Sequence, residues 1–164
     1  MAYSIIPSAI AVHPSICFLS SSKSLAAKYS MSHHIYHMCP SSAFQQALQS
    51  HLDYFPPTYP QDGFIHATSE PALLIDVANH FYRESPGEWI CLEIDPALLT
   101  GGPQSVRYEA PAPVGDKESY HKENEESTRK FPHIYGGINA ESVVRTYPIS
   151  RAEDGTFIAI NGIQ

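Results

Sequence analysis

The stretch Gly63-Phe64-Ile65-His66-Ala67-Thr68-Ser69-Glu70-Pro71 carries the chain from a strand into a helix, and its reading decides the fold. Gly63 to Ala67 is apolar and aromatic apart from one imidazole, the composition of a buried strand. Ser69-Glu70-Pro71 is a helix start. Ser69 can cap, and Pro71 fits the first turn, where an N–H is not needed. Leu74, Val77, Ala78 and Phe81 then recur at i, i+3, i+4 and i+7, the core face of an amphipathic helix that Pro86-Gly87 ends. In Glu88 to Ile94, Trp89, Cys91 and Glu93 alternate with Ile90, Leu92 and Ile94. With both faces largely apolar, this run predicts a central strand.

Upstream, His34 to Met38 reads as a short strand and Pro40-Ser41-Ser42 as a helix entry with Ser41 or Ser42 as N-cap. The helix continues over Ala43 to Leu48, with Phe44, Ala47 and Leu48 on one face. Tyr54 to Pro60 is proline-rich and reads as a loop. Downstream, Asp95-Pro96 and Gly101-Gly102-Pro103 mark turns, and Val106 to Glu109 is a short strand. Ala110 to Lys130 lacks apolar periodicity and predicts a mobile surface loop at about 110–130, a candidate lid. Asn139 can cap a turn over Ala140 to Val143. Val144 to Ile149 is extended, and Asp154-Gly155 can turn the chain into a last strand, Thr156 to Ile160. The sum is an α+β domain over residues 31–164 with short strands and two main helices. Its irregular alternation argues against a doubly wound parallel sheet. No glycine-rich dinucleotide loop or P-loop is present.

A chain of 164 residues suits one domain with a proper core. A formal net charge of −7 argues against a general nucleic-acid or anionic-membrane surface, while allowing a locally basic pocket. Cys17, Cys39 and Cys91 match no metal spacing and make no disulfide scaffold, so a reducing compartment, the cytoplasm, is the simpler expectation. No apolar run reaches membrane-spanning length. Residues 1–30 stand apart as an N-terminal extension, disordered or targeting. They are rich in serine and alanine, hold only Lys23 and Lys28 as cations, and no acid precedes Asp53. That composition permits an organelle transit peptide, against which the absence of arginine counts. Met31 is an alternative start.

Three histidines lie in aromatic-rich segments: Tyr36-His37, Phe64-Ile65-His66, and Phe131-Pro132-His133-Ile134-Tyr135-Gly136. A buried imidazole needs both nitrogens satisfied, so three of them in a small domain predict a shared polar cleft. His66 is either a core histidine bonded to a carbonyl or part of a site. With Thr68 and Ser69 it can form an anion or ribose-phosphate cradle at a helix start. His133 and Tyr135 share a face if their segment is a strand; the alternative is a packed aromatic corner. His37 and Cys39 share a side on the first strand, where an inert buried thiol competes with a reactive Cys–His pair. Glu109, with Arg107 on its face, is either a structural ion pair or a carboxylate aimed into the cleft beside an arginine for an anion. The remaining histidines read as solvated or helix-surface residues. Three imidazoles suffice for catalytic zinc, but no His-x-His pair occurs among His37, His66 and His133, and no metal is assigned.

The order Ile35-Tyr36-His37, Gly63 to Ser69, Val77-Ala78-Asn79-His80-Phe81-Tyr82, Ile94-Asp95, Val106-Arg107-Tyr108-Glu109 and Phe131 to Gly136 resembles the domain of unknown function 952 family over about residues 33 to 149. Phe-Pro-His-Ile-Tyr-Gly is its most specific mark. The chain departs from the pattern in its leader and in the long linker before Phe131. The resemblance implies a fold similar to that of ADP-ribosyltransferases and tRNA 2′-phosphotransferases: small mixed or antiparallel sheets around a cleft that holds NAD. It implies that His37 contacts a ribose and that His66 with Thr68 or Ser69 lines the nicotinamide or phosphate side. By analogy, Glu109 is the candidate for the carboxylate that steadies an oxocarbenium-like ribosyl transition state, although the usual transferase glutamate has no match in this sequence. The activity so implied is that of a small transferase-like enzyme. It would bind NAD or another nucleotide-like ligand and act at a ribosyl or phosphoryl group. Two alternatives stand beside it. One is an NAD-independent isomerase, cyclase or lyase using His66 and His133 as acid and base, with Tyr135 orienting the substrate. The other is a non-catalytic ligand-binding module. Nothing in the sequence indicates an oligomeric state.

Overall fold

A computed structural model describes residues 33–121 and 128–163. The N-terminal extension and the middle of the predicted loop, 122–127, lie outside the described residues.

The strands are β1 (Ile35–Pro40), β2 (Ile65–His66), β3 (Trp89–Ile94), β4 (Val106–Glu109), β5 (Phe131–Ile134), β6 (Val143–Arg151) and β7 (Phe157–Ile160). The α-helices are α1 (Ser41–Gln49), α2 (Tyr59–Asp62) and α3 (Leu74–Phe81). One sheet has the order β1-β3-β6-β7 and the other β2-β5-β4, and all pairings are antiparallel. The fold is therefore α+β with antiparallel sheets and few helices.

Strand β3 is central, between β1 and β6, which accounts for apolar residues on both of its faces. Its two faces serve two cores. Leu92 and Ile94 pack with Ile35, Cys39, Phe44, Ile65 and Ile134 on the side of α1 and the three-stranded sheet. Trp89 and Cys91 pack with Met38, Leu74, Ala78, Tyr147 and Phe157 on the side of α3. Asn79 ties α3 to β7 by bonding both backbone groups of Phe157, at 3.0 and 2.8 Å. Burying a phenylalanine there stabilises the fold by about 3–5 kcal/mol relative to alanine. The two sheets meet where Tyr36 and Thr68 exchange backbone hydrogen bonds of 2.8 and 2.9 Å.

Several local expectations need correction. Neither Ser41 nor Ser42 is the N-cap of α1; Pro40 holds that position and no side chain caps. Ser69 caps nothing. A 3-10 turn over Pro71–Leu73 precedes α3, and Thr68 Oγ1 accepts from the Glu70 N–H at 3.1 Å. The strand expected over Gly63 to Ala67 shrinks to two residues, because Gly63 takes a left-handed φ of 78° to end α2. That short helix begins inside the predicted Tyr54–Pro60 loop.

Candidate functional site

Antiparallel pairing builds the site. His66 lies directly opposite His133, and His133 opposite Arg107 on its other flank. Opposed residues share a face, so one row across β2, β5 and β4 carries two imidazoles and a guanidinium. Glu109 and Tyr135 lie two residues along from that row and join the same face. The opposite face carries Ile65, Ile134 and Val106, which pack on the core.

Each histidine is held by one nitrogen. His37, 4% exposed, has Nδ1 2.7 Å from the His66 carbonyl oxygen. A carbonyl only accepts, so Nδ1 carries the proton and donates. His37 Nε2 is then a bare acceptor, buried and without a partner among the described residues. Burial holds this imidazole down to about 4, the carbonyl bond opposing weakly, so the ring is neutral near pH 7. His66 Nε2 donates to Asp62 Oδ2 at 3.3 Å, and His133 Nδ1 donates to Glu109 Oε2 at 3.0 Å. Both rings are lowered from the ordinary imidazole value, chiefly by burial. His133 lowers His66 further, and the carboxylates Asp62 and Glu109 each pull the other way.

The His66 and His133 rings meet edge to face, centroids 5.3 Å apart, and Phe64 stacks on His133 at 4.0 Å. The Tyr135 hydroxyl donates to Glu109 Oε2 at 2.9 Å, and this bond with that from His133 keeps Glu109 below the usual carboxylate range. The Arg107 guanidinium lies over the Tyr135 ring, 4.1 Å from its centroid. It stacks there, and its charge adds to the bonds that hold Glu109 low.

His37, His66, Thr68 and His133 line one cavity of about 50 Å³. Its other walls are mostly apolar. They come from β1 (Tyr36, Met38), α3 (Leu74, Val77, Phe81) and the linker (Pro111, Ala112, Val114, Tyr120). The expected convergence of the three imidazoles is thus present. Glu109, Arg107 and Tyr135 stand behind His133 and do not line the cavity. Ser69 is exposed and outside it, so no hydroxyl cradle forms; the Thr68 oxygen is engaged with the backbone. No lysine or arginine is among the lining residues. Among the described residues, no group of three or more His, Cys, Asp or Glu is placed to hold a metal ion.

Cys39 is buried in the core and burial raises its thiol far above the ordinary range, so it is the inert alternative. His34 is no free surface residue: its Nδ1 lies 2.6 Å from Glu93 Oε1. Sequence reasoning missed Asp62 and Phe64. Asp62 sits four residues before His66 across the Gly63 turn, and the spacing alone gives no reason to pair them.

A family model described as a protein of unknown function (DUF952) matches residues 38–146. Among solved structures, the crystal structure of protein CC0527 from Caulobacter crescentus is similar, with TM-score 0.56 and 17% identity, covering 76% of this chain and 93% of that one. The solution structure of the same protein gives a TM-score of 0.52 at 20% identity, covering 75% and 90%. At such identities the likeness concerns the fold. None of the curated proteins compared with the chain matches it. Among the described residues, no helix is long and apolar enough to cross a membrane.

Proposed function

The chain belongs to the DUF952 family of proteins of unknown function, and from that premise we propose that it is an enzyme using His66 and His133 as an acid–base pair on a small, uncharged, partly apolar ligand. The observation that carries this reading is the orphaned His37 Nε2. A buried acceptor without a donor costs about 1–3 kcal/mol, a cost that a ligand hydroxyl or N–H at this point offsets. His37 therefore binds and orients. Behind the reaction centre, the two carboxylate–imidazole pairs fix which nitrogens are free: Nδ1 of His66 and Nε2 of His133. Two imidazolium ions 5.3 Å apart in an apolar wall repel, so at most one ring is charged at a time: both bare nitrogens start as bases, and the one that takes a proton from the ligand returns it as the acid to another ligand atom. Glu109 stabilises the charge that forms on His133. The apolar lining without cations supports an uncharged ligand over a phosphate-bearing one.

A thermal shift and ¹⁵N-histidine spectrum with phenol and with anisole test this reading. Phenol, which can donate, is expected to raise the melting temperature and move the His37 Nε2 resonance, and anisole is not. Equal responses, or none, refute the donor role.

A second reading, action at the ribosyl group of NAD on an ADP-ribosyltransferase-like fold, is supported by one arrangement. Glu109 is 40% exposed and is held below the usual carboxylate range beside His133, on the outer strand of the three-stranded sheet. Nicotinamide release from NAD tests it, and its absence together with no NAD-induced thermal shift rejects it. The free Cys39 and Cys91 are compatible with a cytoplasmic setting.

A further inference from the structure

Residues 110–121 lie along the cleft as a strap. Val114 is buried, and with Pro111, Ala112 and Tyr120 it completes the cavity wall. The strap is pinned along its length. The Gly115 N–H donates to Asp62 Oδ1 at 3.0 Å, Gln61 Nε2 donates to Asp116 Oδ1 at 3.1 Å, and His80 Nε2 donates to the Glu118 carbonyl at 2.9 Å. Lys117 Nζ adds a looser contact to Glu84 at 3.6 Å.

Asp62 divides its carboxylate. Oδ1 takes the strap and Oδ2 takes His66 Nε2, while the side chain is only 4% exposed. A buried carboxylate needs both bonds, because an unpaired charge in that setting is costly. Each donor therefore depends on the other holding the carboxylate in place. No other residue bonds both the strap and a cleft histidine among the described residues.

We propose that Asp62 is a positioning residue that couples the seating of strap 110–121 to the orientation and proton affinity of His66. This rests on His66 being one of the two acid–base imidazoles, and it adds a gate: the ring is set for proton transfer only with the cavity wall in place. The groups facing His66 are Asp62 from α2, His133 from β5, and His37, whose Nδ1 bonds the His66 carbonyl. Glu109 and Arg107 lie beyond His133 on β4, and Asp116, Lys117 and Glu118 follow Gly115 on the strap. Loss of the carboxylate removes the one partner that favours the imidazolium at close range. Loss of the strap instead admits water and relieves burial. The two perturbations act on His66 with opposite sign.

The test is an NMR titration of the full chain with labelled histidine, combined with amide hydrogen exchange, and needs no substrate. Asp62→Asn keeps the shape but sets an NH₂ group against one of the two donors. It is expected to lower the His66 midpoint, because the carboxylate that raises it is gone, and to speed exchange at Gly115. Val114→Ser is expected to speed that exchange too, but to raise the His66 midpoint toward 6.5. Midpoints that rise in both variants mean that Asp62 only anchors the strap, and this overturns the proposal while leaving the acid–base pair standing. If Asp62→Asn does not fold, Val114→Ser decides alone: faster exchange with an unmoved His66 overturns the coupling. The expected pattern without turnover on any substrate supports the coupling and counts against the enzymatic reading.

Discussion

His37→Gln should flatten the acid limb of the protein's stability curve. In the folded state burial holds this imidazole at about 4, whereas in the unfolded chain it titrates near 6.5. The folded value is the lower one, so the unfolded chain takes up the proton first as pH falls. Stability is full above pH 6.5 and is lost between 6.5 and 4. One pH unit of difference is worth 1.36 kcal/mol, so the loss is about 2 kcal/mol at pH 5 and about 3 kcal/mol at pH 4. The ring is only 4% exposed, and solvent screening reduces these figures little. Urea unfolding at several pH values reads the effect: with a slope of about 1–3 kcal/mol/M, the wild-type midpoint should fall by about 1 M between pH 7 and 5 on account of His37. Glutamine keeps an N–H for the His66 carbonyl and does not titrate, so its curve should lose the His37 share and retain the slope due to His66, His133 and the depressed carboxylates such as Glu109, which has the same sign. Parallel curves for wild type and variant would refute the neutral, buried assignment of His37 and the orphaned acceptor with it.

Glu109→Gln removes a group that raises His133, so its NMR titration midpoint should move down and leave His133 a weaker base. Gly155→Ala places a methyl 2.3 Å from the Arg83 carbonyl at a φ of +84°, and a loss of about 2 kcal/mol in chemical denaturation is expected. Burial pushes the Cys91 thiol up to about 12 and raises Cys39 as well, so peptide mapping after native iodoacetamide treatment should find both unmodified, and full labelling only in denaturant.

The sequence carried strand β3 and helix α3 clearly, because each owes its pattern to a neighbour on every buried side. A run apolar on both faces needs a core on both, and Leu74, Ala78 and Phe81 are buried as their spacing predicts. Strand alternation also put His133 and Tyr135 on one face, where both reach Glu109. The pairing of His66 with His133 was not legible, since it depends on a register set by residues far apart in the chain. Helix α2 is only four residues long and has no periodicity to read, so Asp62 stayed hidden. Thr68 and Ser69 offer similar hydroxyls, and only the backbone path decides that Thr68 takes the Glu70 amide while Ser69 faces water.

The pairing of β5 with both its neighbours has a consequence for how this protein tolerates change. Deleting Tyr135 while the chain after it keeps its register would bring Pro132 and Ile134 to the positions that His133 and Tyr135 now occupy, trading hydrophilic chemistry for aliphatic surface along that face. Insertions earlier, around residues 128–130, add slack without altering that alternation. Length polymorphism among natural variants should accordingly accumulate before Phe131 and stop abruptly at it.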